Sequence, residues 1–316
     1  MTAPSPPDLR LLGLRPGTVP ELQMGDDLAG PIIDVLPRTG TALQDGDVVV
    51  IASKAVSIAE KRYVDLGTVI PGLEAQELVG RTGKPAPLVQ LILDSSDDYF
   101  LATPNVPIIA RHRLGHQLTF AGIDHAGTEG AWLLPADPDA SARALRDALI
   151  THTGADVAVV IADSDGRADR RGATVISIGA AGIAPLRITE HGGNRQEETF
   201  TDLIAAAAGI ILGQRGRGAP VAALRGIAHS ARAGESQQCS TTGHDTAGHS
   251  VADTIGIRLA VCLTCEGITL RLLNGGRYRA AGARTSRHPT HGKETMSLQV
   301  TEAASAEPAE AVRRVI

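Results

Sequence analysis

Two apolar runs separated by a dense cluster of charge constrain this fold more than any other part of the chain. The stretch reads VAVVIADSDGRADRRGATVISIG, Val157 to Gly179. Val157–Ile161 and Val175–Ile178 are short, β-branched runs, the pattern of strands buried on both faces. Between them Asp163, Asp165, Arg167, Asp169, Arg170 and Arg171 place three acids and three bases within nine residues. The clearest helix of the chain, DPDASARALRDALITHTG, comes directly before. Asp139 or Ser141 marks its start, Leu145, Ala148 and Leu149 its apolar stripe, and Gly154 its end. Helix feeding into strand predicts an α/β-type core, with Asp163 on a loop at the carboxyl end of the first strand. Open α/β sheets bind their ligands there.

The rest of the chain supplies matching elements. Residues 1–8 hold three prolines and no apolar period, and read as a disordered lead-in. A strand begins near Leu9, a helix runs from about Asp27 to Leu36, and a buried strand, Val48–Ala52, ends at the Ser53-Lys54 pair. EAQELVG and APLVQLILDSS read as helices, and GHQLTFAGIDHAGTEGAWLLP as short strands broken by glycines. TFTDLIAAAAGIILGQ reads as a helix with Thr201 as N-cap, and PVAALRGI as the last core strand. Beyond Gly226 the chain becomes small, polar and turn-rich, with room for two strands in TIGIRLAVCLTCEGITLRLLNGG.

Composition narrows the function classes. A net charge of −5 implies no general affinity for polyanions, and 2% aromatic residues leave few platforms for stacking bases. No apolar run approaches the roughly 20 residues that span a bilayer. The amino-terminal MTAPSPPDLR lacks the basic-then-apolar order of a signal peptide, so a cytoplasmic protein is the expectation. Three cysteines suggest no disulfide framework. Cys262 and Cys265 have the spacing of half a zinc site, with Cys239, His244 and His249 irregularly placed before them. Free thiols in a strand are preferred over structural zinc for this pair.

Several stretches carry candidate chemistry. Asp163-Ser164 offers oxygen ligands suited to a hard divalent cation, and Asp124, flanked by glycines, ends a second apolar segment. Aspartates on two strand ends can share a pair of Mg²⁺ or Mn²⁺ ions. Lys54, beyond a buried strand, can act as a point charge on a phosphate. GQRGRGAP, Gly213 to Pro220, can cradle phosphate through backbone N–H groups, or it can be an ordinary helix end and connection. There is no P-loop and no G-x-G-x-x-G after a strand. The charged loop after Asp163 can equally be a solvated one whose charges pair with each other.

Taken together, GTVPELQMGDDLA, DGDVVVIASKAVSIAEKR, APLVQLIL, AGID, LLPADPDASARALRDAL, VAVVIADSDGRADRRGATVISIGAAGIAPL and AAAAGIILGQRGRGAPVAALRG resemble, in order, the F420-0:gamma-glutamyl ligase family. The resemblance spans roughly residues 10–226. It implies a two-lobed α+β fold with a mixed sheet, covering 9–226, with residues 227–316 as a divergent extension. It implies a homodimer that adds L-glutamate to the deazaflavin coenzyme F420-0, hydrolysing GTP by way of an acyl phosphate. It further implies two divalent metals, Mg²⁺ or Mn²⁺, and allows K⁺ in addition. By position, Asp124, Asp163 and Ser164 would bind metal, and Gln214 would contact metal beside the nucleotide. Ser53 and Lys54 match a nucleotide-binding pair, and Val19, Pro20, Glu21 and Leu22 match a nucleotide-contacting loop. Gly213, Gly216 and Gly218 belong to the glycine-rich candidate for the same ligand, and Arg167 is retained beside the catalytic aspartates.

This chain also departs from the family pattern. Ile58 stands where the family has a second lysine, Lys61 where it has glycine, and Gly127 where an asparagine contacts nucleotide. Asp165, Ala168 and Asp169 replace phenylalanine, proline and tryptophan. These changes support a second reading: a divergent paralogue that keeps the fold and metal binding but uses another acid or nucleotide, or carries out no chemistry.

Overall fold

The computed structural model describes residues 9–13, 22–35, 42–101, 107–127, 129–166, 172–213 and 219–229, with the backbone of six strands between 259 and 302. Along the chain, β1 (Arg10–Gly13) precedes α1 (Ala29–Val35), β2 (Val48–Ala52) and α2 (Ser53–Ala59). A second lobe follows, built from β3 (Tyr63–Asp65), α3 (Leu73–Thr82), α4 (Ala86–Asp94), β4 (Ser96–Leu101), β5 (Ile108–His112), β6 (Gln117–Thr119), β7 (Asp124–Ala126) and β8 (Gly130–Trp132). The chain returns through α5 (Pro138–Thr153), β9 (Ala158–Gly166), β10 (Ala173–Ala181), β11 (Leu186–His191), β12 (Asn194–Thr199), α6 (Phe200–Leu212) and β13 (Val221–Arg225).

The first lobe centres on a five-stranded sheet of order β1-β13-β2-β9-β10. The inner pair β2/β9 is parallel, and the other neighbours are antiparallel. Strand alternation sorts the side chains into two cores. Val49, Ile51, Val159 and Ile161 face α1, α2 and α5, where they meet Ile32, Val56, Leu145 and Leu149. Val48, Val50, Ala158 and Val160 face α6, where they meet Phe200, Ile204 and Ala208. Both faces are covered, which is why β2 and β9 read as unbroken apolar runs. The second lobe has its own core, in which Leu78, Leu88 and Ile92 pack against Ile108, Ala110 and Ala131. Its strands form two three-stranded sheets, β3-β8-β7 and β4-β5-β6.

Several sequence expectations shift by a few residues. The N-cap of α5 is Asp137, whose carboxylate accepts from the Ala140 N–H at 2.8 Å. Asp139 instead accepts from the Ala180 N–H and ties α5 to β10, while the Ser141 hydroxyl donates to Glu60. Pro138 at the first helical position supplies the missing start signal. The apolar stripe and the Gly154 terminus are as expected. Thr201 does not cap α6; it is fully buried in the first turn. The Pro185 carbonyl accepts the first N–H groups of α6, from Phe200 and Thr201, so no hydroxyl cap is needed.

Past residue 226, a four-stranded antiparallel sheet runs β14 (Leu259–Thr264), β15 (Gly267–Leu272), β16 (Gly276–Ala280) and β19 (Val300–Glu302), beside a pair formed by β17 (Arg284–Ser286) and β18 (Thr295–Ser297). The two strands read from the sequence here are β14 and β15, and Cys262 lies in β14. Cys239, His244, His249 and Cys265 lie outside the described residues. Among the described residues, no helix is long and apolar enough to cross a membrane.

Candidate functional site at the junction of the lobes

The parallel register of β2 and β9 builds the centre of the site. Ala52 pairs with Ala162, the last pair of that register, so the next residues, Ser53 and Asp163, come side by side just where β2 ends. The Ser53 hydroxyl donates to Asp163 Oδ1 at 2.5 Å. Both are buried, with 5% and 8% of their surface exposed. Asp163 is not on a loop. It lies inside β9, paired with Ile176, and the hairpin continues through Ser164 and Asp165. Backbone hydrogen bonds to β10 carry the strand through the charged residues, whatever their side chains.

That extension decides which neighbours share a face. Asp163 and Asp165 are two apart on one strand, and both are buried; Ser164 between them is exposed on the other face. Asp165, rather than Ser164, is therefore the side chain that accompanies Asp163. Asp124 comes from the second lobe, at the start of β7, and Lys54 Nζ stands 3.8 Å from its Oδ2. Both side chains are more than one-third exposed, so this pair contributes little to stability. Burial pushes the Asp163 carboxyl up to about 7, and the negative charges of Asp124 and Asp165 push the same way. The hydrogen bonds from Ser53 and the Ser164 backbone oppose the shift.

The structure therefore brings together Ser53, Lys54, Asp124 and Asp163. Leu22 is half-buried against the main core, on a segment whose Gly25 N–H donates to the Ile58 carbonyl at the far end of α2. Gly213 ends α6 with a φ of 63°. Pro220, just before β13, lies at the site end of the sheet, where its carbonyl accepts from the Ala52 N–H. Val19, Pro20, Glu21, Arg167, Gln214, Gly216 and Gly218 lie outside the described residues. Sequence reasoning missed Asp165 and Thr119 as parts of the site. The Thr119 N–H and hydroxyl both donate to Asp165 Oδ1, at 2.8 and 3.0 Å. The alternation of Asp163 and Asp165 was a usable signal for the first; nothing local marks the second.

Among the described residues, no three His, Cys, Asp or Glu side chains form a metal-holding group. Asp124 and Asp163 nonetheless fit part of a ligand set for a hard divalent cation. They present oxygen donors, and the buried carboxyl of Asp163 carries a negative neighbourhood that a cation would offset.

A two-lobed α+β molecule, with acidic side chains from both lobes gathered where the parallel β2–β9 pairing ends, is the class that fold and site define. The chain belongs to the F420-0:Gamma-glutamyl ligase family, whose model matches residues 17–226. Several relatives are named coenzyme F420:L-glutamate ligase, three of them as follows. The one from Methanothermobacter thermautotrophicus is 37% identical over 66% of this chain and 86% of its own length. That from Archaeoglobus fulgidus is 35% identical over 66% and 85%. That from Methanosarcina acetivorans is 34% identical over 66% and 83%. The α+β architecture expected from the resemblance is the one observed, and the matched span ends where the described first lobe ends, near Gly226.

Proposed function

We propose that the protein is a GTP-dependent ligase that joins L-glutamate to coenzyme F420-0 or a close relative. The carrying observation is the Ser53–Asp163 pair just beyond the end of β2, faced by Asp124 and Lys54 from either side of the lobe junction. In this reading Ser53 orients Asp163 by its hydrogen bond, and Lys54 presents a positive charge to a phosphate. Asp163 and Asp124 would hold the divalent cations, Mg²⁺ or Mn²⁺. Such ions, when bound, neutralise charge that develops as a phosphoryl group is transferred. The acceptor carboxylate would become an acyl phosphate, which the glutamate amine then attacks, releasing phosphate. No side-chain nucleophile is required. A homodimer in the cytoplasm, and K⁺ as an additional cation, complete the proposal.

Ile58 and Gly127 favour a second reading, a paralogue with a changed nucleotide or acid. Gly127 has a φ of 68° with open space around its Cβ position, so an asparagine there meets no neighbour and bears only the strain of a left-handed backbone. One assay separates the readings. The first expects GDP release that requires F420-0, L-glutamate and Mn²⁺ together. GDP release indifferent to F420-0, or none at all, supports the second.

A further inference from the structure

The turn that delivers Asp124 has an unfavourable backbone. Phe120, Ala121 and Gly122 have φ values of 54°, 54° and 67°, three consecutive left-handed residues, two of which carry a Cβ. L-residues avoid this region, and such runs persist only where the surroundings over-determine them. On the far side, Leu134 packs so closely on Gly122 that a Cβ there would lie 2.8 Å from its Cδ1. On the near side, Thr119 is gripped by β9. Its N–H and hydroxyl both donate to Asp165 Oδ1, and the Gly166 N–H donates to the Thr119 hydroxyl at 3.2 Å. Gly166 permits this approach, since a Cβ there would stand 3.1 Å from Thr119 Cγ2. Asp165 is 7% exposed and two residues from Asp163.

We infer that Asp165 is a positioning residue. By clamping Thr119 it holds the left-handed turn at 120–122, and so sets Asp124 at a fixed offset from Asp163 and Lys54. The consequence for catalysis rests on the proposed ligase reading; the clamp itself does not.

The test uses the full chain and the variants Asp165→Val, Asp165→Asn and Thr119→Val. Four quantities are measured: hydrogen exchange over residues 117–126, Mn²⁺ affinity by calorimetry, and kcat and KM for GTP. Loss of hydrogen bonds to a charged acceptor predicts about tenfold faster exchange in Asp165→Val, and smaller acceleration in Thr119→Val. Exchange over α2 stays unchanged. Mn²⁺ affinity and kcat fall in Asp165→Val by a similar factor of about ten, while KM for GTP moves less than threefold. Asp165→Asn keeps an acceptor oxygen and restores exchange and affinity to near the wild type. Unchanged exchange in Asp165→Val would overturn the inference. So would an Asp165→Asn variant as impaired in Mn²⁺ binding as Asp165→Val, since the charge would then act on the cation directly. If Asp165→Val fails to fold, Thr119→Val with Thr119→Ser as its rescue decides by the same exchange readout. A wild type without Mn²⁺ binding or product would defeat the ligase reading, while the exchange comparison still decides the clamp.

Discussion

Lys61 adopts a left-handed backbone, with a φ of 58°, at a position where the resemblance implies glycine. It follows α2, and its stem lies against Gly25. Lys61→Gly should stabilise the protein by about 1 kcal/mol by relieving this conformation, seen as a thermal midpoint higher by roughly 3 °C. A lower midpoint would mean that the stem's contacts outweigh the backbone relief. Asp163 gives the opposite contrast between stability and function. Asp163→Asn keeps an acceptor for the Ser53 hydroxyl and removes a charge that burial disfavours. Its melting point in chelator should equal or exceed that of the wild type, while ligation falls by about 10²-fold or more. A variant that unfolds would assign Asp163 to structure. At this scale Asp124, Asp163, Ser53 and Lys54 were legible, because each ends an apolar run. Thr119 was not, because its partner is 46 residues away.

At the scale of elements, the sequence marked the strands by their apolar runs and lost them where charge began. β9 was legible to Ile161 and in fact continues to Gly166. Pairing with β10 supplies that extension, and pairing is a long-range property. Helix ends failed in the same way: Thr201 has the right chemistry for a cap, but the Pro185 carbonyl had already taken the role. The second lobe contributes a pH dependence of its own. His112 on β5 is pushed down from 6.5 to about 4, first by burial and then by His116, Arg113 and Arg62, against the pull of Asp97. The neutral ring accepts from the Leu114 N–H at 3.0 Å. Between pH 6.5 and about 4 the unfolded chain takes up this proton and the folded chain does not, so stability present above 6.5 is lost as pH falls. Denaturation midpoints measured across that window should slope less in His112→Asn, which retains an acceptor. An unchanged slope would place the acid sensitivity on other groups.

The molecule as a whole divides its task between two lobes. The first lobe supplies Ser53 and Lys54 from the start of α2 and Asp163 from within β9; the second lobe supplies Asp124 from a turn held in place across the junction. In the proposed reading, Ile58 and Gly127 would bear on the nucleotide. Restoring Ile58→Lys and Gly127→Asn together should tighten GTP binding by about tenfold, a charge and a hydrogen bond being worth that much at a partly exposed site. Calorimetric titration with GTP and Mn²⁺ checks it, and no gain would mean a remodelled nucleotide site. The most direct test of the account is product analysis by mass spectrometry after incubation with F420-0, GTP, Mn²⁺ and L-glutamate. F420-0 heavier by a glutamyl residue is expected with the wild type, and less of that product by about 10²-fold or more with Asp163→Asn. Unmodified F420-0 with the wild type, or equal product from both proteins, would contradict the account.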